Sequence, residues 1–308
     1  MKELEYLEII NDTLSDTTLL GDDCAYLKEF DICITQDTLV EGIHFTLDTT
    51  TPFELGQKAV NVNLSDLAAS GSKPLYLTIS LSLPPNTDNS FVQEFYKGVD
   101  KICTTHGVKV AGGDLTGSYR VFISVCALGK KYNSVSVSRN AAKPDDIIVT
   151  TGTHGDSAGG LKLLQQGKTA PEILIQKHLI AQAKTEESNI IMQTAEESGL
   201  KQLAMMDTSD GLGDAIYKLS KGCGFAFDID FDSVPVSSEL KEAFPDEYKD
   251  LVLWGGEDFE LLFTMPEHAY EKLDRTRFFK IGYVTKRHFS KEEEEIFEKK
   301  SFKHFEDK

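Results

Sequence analysis

An α/β protein of two domains is the fold class that this sequence predicts, and three observations predict it. Strand-like and helix-like segments alternate through the second half of the chain, the pattern of layered α/β domains. At 308 residues the chain is about twice the commonest single-domain length, so two domains are expected. The stretch 138–146 (SRNAAKPDD) is polar and carries a proline, which marks it as the boundary between domains at residues 1–138 and 139–308.

The elements follow from local signals. Residues 32–38 (ICITQDT) read as a strand. Thr51-Pro52-Phe53-Glu54 is a capping box with proline at the first helical position, and the helix it starts ends near Gly71. Residues 75–83 alternate, with Leu75, Leu77, Ile79, Leu81 and Leu83 on one face and Tyr76, Thr78, Ser80 and Ser82 on the other. The second face belongs to solvent or to a subunit interface. Residues 90–106 read as a helix closed by Gly107, and 108–111 and 121–128 as strands around a glycine-rich turn at 112–118. Past the boundary come a strand at 147–151, a glycine-rich turn and a helix through Leu161. Helices are expected at 173–183, 189–197 and 212–221 and from Pro266, and strands at 203–206, 225–229, 259–264 and 278–284. The acidic run 292–295 reads as a solvated helix face.

Composition narrows the function. The 32 Lys and Arg against 50 Asp and Glu give a net charge of -18, which disfavours attraction to nucleic-acid phosphates or anionic lipid. The five cysteines include no CxxC pair, so neither a disulfide framework nor a zinc site is signalled. No basic leader and no run of about 18 apolar residues is present. A reduced, cytoplasmic protein without membrane or nucleic-acid partners is expected.

The informative feature is where the aspartates sit. Asp22 and Asp23 lie between Gly21 and Cys24, Asp37 in an apolar strand, and Asp66 in a helix nearly free of acids after its first turn. Asn63 and Asp66, three apart, share a face of that helix. Asp114 follows Gly112-Gly113, and Asp207 and Asp210 bracket Thr208-Ser209. Surface acids usually mix with lysines, whereas these are set among Gly, Ser, Thr and apolar residues. Two carboxylates about 4 Å apart repel by roughly 4 kcal/mol even at an effective dielectric of ~20. No Lys or Arg flanks the motifs closely, so hard divalent cations, with Mg²⁺ held by carboxylates and substrate phosphates, are the expected compensation. Taken singly, a short Asp motif is more often a turn or a helix cap.

Residues 151–160 (TGTHGDSAGG) follow a strand and open a helix, a setting suited to phosphate binding by backbone N–H groups, although tight helix–sheet packing explains the glycines equally well. His44 is ambiguous between a structural and a functional role, and no Ser/His/Asp or Cys/His constellation can be assembled from spacing.

Together these segments resemble the thiamine-monophosphate kinase family, within the superfamily of aminoimidazole ribonucleotide synthetase and selenophosphate synthetase. The resemblance rests on Gly21-Asp22-Asp23-Cys24-Ala25, on residues 37–45 (DTLVEGIHF) and on residues 63–69 (NLSDLAA). It continues through Gly112-Gly113-Asp114, Ser138-Arg139, residues 151–158, residues 207–212 (DTSDGL) and Gly255-Gly256-Glu257-Asp258. It implies that Asp23, Thr35, Asp37, Asp66, Asp114, Asp207 and Asp210 hold several Mg²⁺ ions. It further implies that Gly113, Asp114, Arg139 and Ser209 contact ATP, and that His44, Glu257 and Phe302 contact thiamine monophosphate. Two residues depart from the family pattern: Gln36, where Ser or Thr is usual, and His154, where a smaller residue or proline is common. The implied fold is an N-terminal mixed sheet with helices on one face and strands pairing across a homodimer, 75–83 being the candidate interface strand. A C-terminal α/β domain completes the site.

The implied reaction moves the γ-phosphoryl group of ATP onto the phosphate of thiamine monophosphate. One rival is another ATP-using enzyme of the superfamily, selenophosphate synthetase-like or an amidine cyclo-ligase. Selenophosphate synthetases carry a reactive cysteine ahead of a glycine-rich segment, whereas Cys24 follows the Asp pair. The other rival is a non-catalytic divalent-metal-binding protein, whose commonest signature, EF-hand spacing, is absent.

Overall fold

The computed structural model describes residues 2–300. The first half comprises α1 (Lys2–Thr13), β1 (Ala25–Leu27), β2 (Ile32–Val40), α2 (Pro52–Ala69), β3 (Ser72–Leu83), α3 (Asn89–His106), β4 (Lys109–Gly117) and β5 (Phe122–Lys131). Its strands form a mixed five-stranded sheet in the order β1-β2-β5-β3-β4, antiparallel except for the parallel β3–β4 pair. Leu39, Leu77, Ile79, Leu81, Ile123 and Val125 point inward from alternate strand positions and pack beneath α2 and α3. The chain leaves this sheet at Lys131 and enters a second one at Ser136, ahead of the polar stretch 138–146.

The second half contains β6 (Ser136–Val137), β7 (Ile147–Thr151), α4 (Asp156–Gln165), α5 (Glu172–Ile180), α6 (Thr185–Glu197), β8 (Gln202–Asp207) and α7 (Leu212–Cys223). It continues with β9 (Phe225–Ile229), α8 (Ser238–Ala243), α9 (Tyr248–Trp254), β10 (Leu261–Met265), α10 (Glu267–Tyr270), β11 (Phe278–His288) and α11 (Lys291–Lys300). The sheet order is β6-β8-β10-β7-β11-β9, and only β6–β8 is parallel. Strand parity divides the side chains between two cores. Ile148, Ala204, Met206 and Leu262 face α4, α5 and α7, whereas Ile147, Val149, Leu203, Met205 and Phe263 face α6 and the end of α2. Burial on both faces explains why these strands are continuously apolar. Among the described residues no helix is long and apolar enough to cross a membrane.

Helix α2 is the spine of the molecule. The expected capping box is formed, with the Glu54 amide donating to Thr51 Oγ1 and the Glu54 carboxylate accepting from the Thr51 amide at 2.9 Å. Fourteen of its eighteen residues are buried, which makes it an internal helix rather than a surface one. One stripe, Lys58, Asn61, Ser65 and Ala68, repeats every three to four residues and faces the second half. Asn61 Nδ2 donates to the Ala181 carbonyl at 3.1 Å, and Ser188 Oγ donates to the Ala68 carbonyl at 2.6 Å.

Three expectations are corrected. Residues 112–117 continue β4 rather than turn, because glycine tolerates extended backbone and β3 supplies the pairing. β3 is an interior strand, hydrogen-bonded to β5 on one side and β4 on the other, so it has no edge to offer a second subunit; the edges are β1 and β4, and β4 is exposed along its whole length. The alternation of 75–83 reports a strand with one outer face and does not reveal its place in the sheet. The acidic run is only partly solvated: Glu293 pairs with Arg287 at 2.7 Å and Glu294 with Lys221 at 2.6 Å, while Phe297 stacks on Tyr217 of α7.

The crossing of α2 and α3 is closed by glycines. A Cβ at Gly56 would lie 2.1 Å from the Phe95 carbonyl oxygen, and one at Gly98 would lie 2.0 Å from that of Phe53. Alanine in place of an interior helical glycine ordinarily stabilises by about 1 kcal/mol. Gly56→Ala is predicted to reverse that sign and destabilise by about 1–3 kcal/mol through overpacking. Urea unfolding checks this, and an unchanged or raised midpoint contradicts it.

Candidate active site

The aspartates converge where α2 passes between the two sheets. Ligand oxygens of Asp23, Asp66 and Asp207 all lie within 4.8 Å of one another, although they come from the segment before β1, from α2 and from the end of β8. Hydroxyls fix two of the three carboxylates, Asp66 and Asp207. Thr35 Oγ1 donates to Asp66 at 2.5 Å, Ser65 Oγ donates to Asp207 at 2.6 Å, and Ser209 Oγ donates to the other Asp207 oxygen at 3.0 Å. The shared face of Asn63 and Asp66 is turned to β2, where the Asp37 amide donates to Asn63 Oδ1 at 3.0 Å. Thr35 and Asp37 point inward from β2 for the same reason of parity.

Electrostatics record the crowding. Burial, reinforced by Asp23, pushes Asp207 up to about 7. Burial and the carboxylates of Asp37, Asp207 and Asp23 hold Asp66 well above the usual carboxylate range. Asp37 is raised by burial and by Asp210 and Asp23. Cations supply part of the compensation, one from far along the chain and one from two turns further along the helix after Asp210. Arg139 Nη2 donates to Asp23 at 2.8 Å, and Lys218 bridges Asp210 at 2.9 Å and Asp214 at 2.6 Å. The absence of Lys and Arg beside the motifs in sequence therefore does not carry into the folded chain. A cavity of about 200 Å³ lined by Asp22, Asp23, Tyr26, Ser70 and Met205 opens beside the cluster.

Gly113 and Asp114 are not brought to this place. The register runs Asp37–Val125–Ile79–Gly113 across β2, β5, β3 and β4, which is three strand spacings, roughly 14 Å. Asp114 stands opposite Ser80 and shares its outer face, away from Asp37 and Asp66. Phe302 lies outside the described residues.

His44 and Glu257 meet through one lysine. The Val40 amide donates to His44 Nδ1 at 3.0 Å, so the neutral ring carries its proton on Nε2. Glu257 sits at φ 68, a left-handed conformation costing a non-glycine residue of order 1–3 kcal/mol. Its amide donates to the Ser209 carbonyl at 2.7 Å. Its carboxylate accepts from Lys58 Nζ at 2.9 Å and lies 3.2 Å from His178 Nδ1. Burial alone would raise this acid, but Lys58 and His178 outweigh it and hold the carboxyl down at about 2. Sequence reading passed over Lys58, His178, Ser65 and Lys218. The signal for Lys58 is present, since it is the one charge in α2 between Glu54 and Asp66.

In the glycine-rich loop 151–160 two amides at the start of α4 are already taken. Gly155 and Ser157 donate theirs to the buried Asp258 carboxylate at 2.6 and 2.9 Å. His154 is fully buried, with Nε2 2.7 Å from Thr150 Oγ1, and burial holds it down at about 4, so the ring is neutral. Gly152 packs on Glu260, itself ion-paired to Lys177 at 2.7 Å and Lys184 at 3.1 Å.

Comparison with known proteins places the chain in a family. Residues 21–130 match the family described as AIR synthase related protein, N-terminal domain. The chain is 34% identical to the thiamine-monophosphate kinase of Aquifex aeolicus (strain VF5) over 98% of both chains. It is 30% identical to that of Bacillus subtilis (strain 168) over 93% of both. A solved structure described as AaThiL complexed with AMPPCP and TMP superposes with a TM-score of 0.84, at 33% identity, over 94% of this chain and 93% of that one. Likeness of this extent shows that the chain belongs to the thiamine-monophosphate kinase family.

Proposed function

We propose that this protein transfers the γ-phosphoryl group of ATP to the phosphate of thiamine monophosphate, giving thiamine diphosphate and ADP. The observation that carries the reading is the convergence of Asp23, Asp66 and Asp207 within 4.8 Å, in a chain so similar to known kinases of this acceptor. The donor set is all oxygen, from crowded carboxylates and the hydroxyls that support them, and it fits a hard divalent cation. Asp23, Asp66 and Asp207 would hold Mg²⁺, with Thr35, Asp37 and Asp210 bordering them. Bound there, Mg²⁺ neutralises the phosphate oxygens on which charge accumulates during transfer.

The acceptor needs no general base, because a phosphate monoester with a second pKa near 6 is already mostly dianionic at pH ~7. In the transfer, an acceptor phosphate oxygen bonds to the γ-phosphorus as the bond to the β-bridging oxygen breaks. Arg139 and Ser209 serve the nucleotide phosphates. His44 serves the acceptor from the loop after β2, and the ionised Glu257 complements the positively charged thiazolium ring of thiamine. A cytoplasmic location accords with five free cysteines.

Gly113 and Asp114 enter this scheme through a second copy. The outer face of the first sheet carries part-exposed Tyr76 and Phe122, with the unpaired β4 edge beside it, and covering that edge removes an aggregation-prone strand. A homodimer built on that face lets Asp114 of each chain serve across the interface. Light scattering at micromolar concentration is expected to give twice the chain mass, and a monomer would contradict the arrangement.

The reaction is tested by coupled ADP release. Turnover is expected only when ATP, Mg²⁺ and thiamine monophosphate are all present; turnover indifferent to thiamine monophosphate contradicts the acceptor.

The acid cluster predicts a pH signature. Carboxyls raised in the folded state contribute stability that is full below their unfolded pKa of ~3.8 and is lost as pH rises through the folded value, about 7 for Asp207. Metal-free protein is therefore expected to lose melting temperature between pH ~4 and ~7. Added Mg²⁺ is expected to raise that temperature more at pH 8 than at pH 5. Asp66→Asn is expected to abolish transfer while leaving metal-free stability equal or higher. A pH-independent Mg²⁺ effect, or near-normal kcat for Asp66→Asn, would contradict the metal assignment.

A further inference from the structure

We infer that Lys58 is the positioning residue for the acceptor side of the site, joining the Glu257 carboxylate to the loop that carries His44. The inference rests on the functional reading above for what Glu257 and His44 contact. Lys58 is 1% exposed, and its Nζ donates to Glu257 Oε2 at 2.9 Å and to the His44 carbonyl at 3.4 Å. These two partners belong to different halves of the molecule. His44 follows β2 of the first sheet, and Glu257 precedes β10 of the second.

A buried ammonium is costly unless paired, and the same holds for a carboxylate. Each ion here makes the other tolerable, so the pair fixes the separation between the two acceptor residues. The remaining attachments of each partner lead back to the site. Glu257 donates its amide to the carbonyl of Ser209, next in the chain but one to Asp207, and the ring of His44 is held by the Val40 amide at the end of the strand bearing Asp37. Lys58 itself lies on the α2 stripe that also contributes Ser65 to Asp207. The placement of an acceptor relative to the acidic cluster thus runs through one rigid helix. His178, from α5, touches the same Glu257 oxygen at 3.2 Å and lies 3.3 Å from Ser157 Oγ of α4, so it ties Glu257 to helices of the second half.

The test separates positioning from general stability. Lys58→Met keeps the length and removes the charge. It is expected to raise KM for thiamine monophosphate at least tenfold while KM for ATP stays within about twofold, and Lys58→Arg is expected to recover most of the loss. In a Glu257→Gln background, Lys58→Met is expected to add less than about twofold, because the partner is already neutral. That double variant buries no unpaired charge and serves if the single variant fails to fold. Equal changes in both KM values, no recovery with arginine, or independent losses in the double variant would overturn the role. Hydrogen exchange of 41–45 and 255–258 decides it without substrate: both segments should exchange faster in Lys58→Met while β5 is unchanged, and unchanged exchange in both would overturn it. Failure of the wild-type protein to phosphorylate thiamine monophosphate would count against the functional reading, with the exchange result still deciding Lys58.

Discussion

Three carboxylates within 4.8 Å repel one another, and the rest of this structure is arranged around holding them there. The restraint is helix α2. Its Asp66 is the middle member of the cluster, its Ser65 bonds the Asp207 carboxylate, and its buried flanks lock it to both sheets at once. Displacing α2 would relieve the repulsion, but only by opening the contacts of Leu55, Leu64 and Leu67 on one side and of Ala68 and Ala69 on the other. Burial of that apolar surface is worth far more than a few kcal/mol of charge repulsion. Core packing therefore sustains an acidic site that would disperse if left to electrostatics.

The division of labour along α2 follows from its period. Asn63 and Asp66 turn to β2 and meet Asp37 and Thr35, while Lys58, Asn61 and Ser65 turn to the second half and meet Glu257, Ala181 and Asp207. One helix thereby relates the metal-type carboxylates to the residues proposed for the acceptor. The close α2–α3 crossing at Gly56 and Gly98 seats it from behind. Phosphoryl transfer depends on positioning more than on proton movement, which suits a site framed by an internal helix.

Much of this was legible in the sequence where the cause is local. The capping box at Thr51 and the β-branched run 147–151 each correspond to an observed element, because caps and strand-forming side chains leave marks within a few residues. The acids set among Gly, Ser and apolar residues were legible as a group. What escaped depends on partners far along the chain. Residues 112–117 have too few side chains to show a strand, and β3 gives no sign of being interior until β4 and β5 are placed beside it. Arg139 reaches Asp23 across more than a hundred residues, and Asp258 takes the α4 amides from a similar distance. Asp114 is separated from Asp37 by sheet parity, which the Gly112-Gly113-Asp114 motif alone does not carry.

The central claim is that the carboxylates brought together by α2 are a divalent-cation site at which the nucleotide is held. Anomalous diffraction from a crystal grown with Mn²⁺ and a non-hydrolysable ATP analogue tests it most directly. The account predicts anomalous peaks bonded to oxygens of Asp23, Asp66 and Asp207 with nucleotide phosphate alongside. Nucleotide density with no peak bonded to any of the three carboxylates would contradict it.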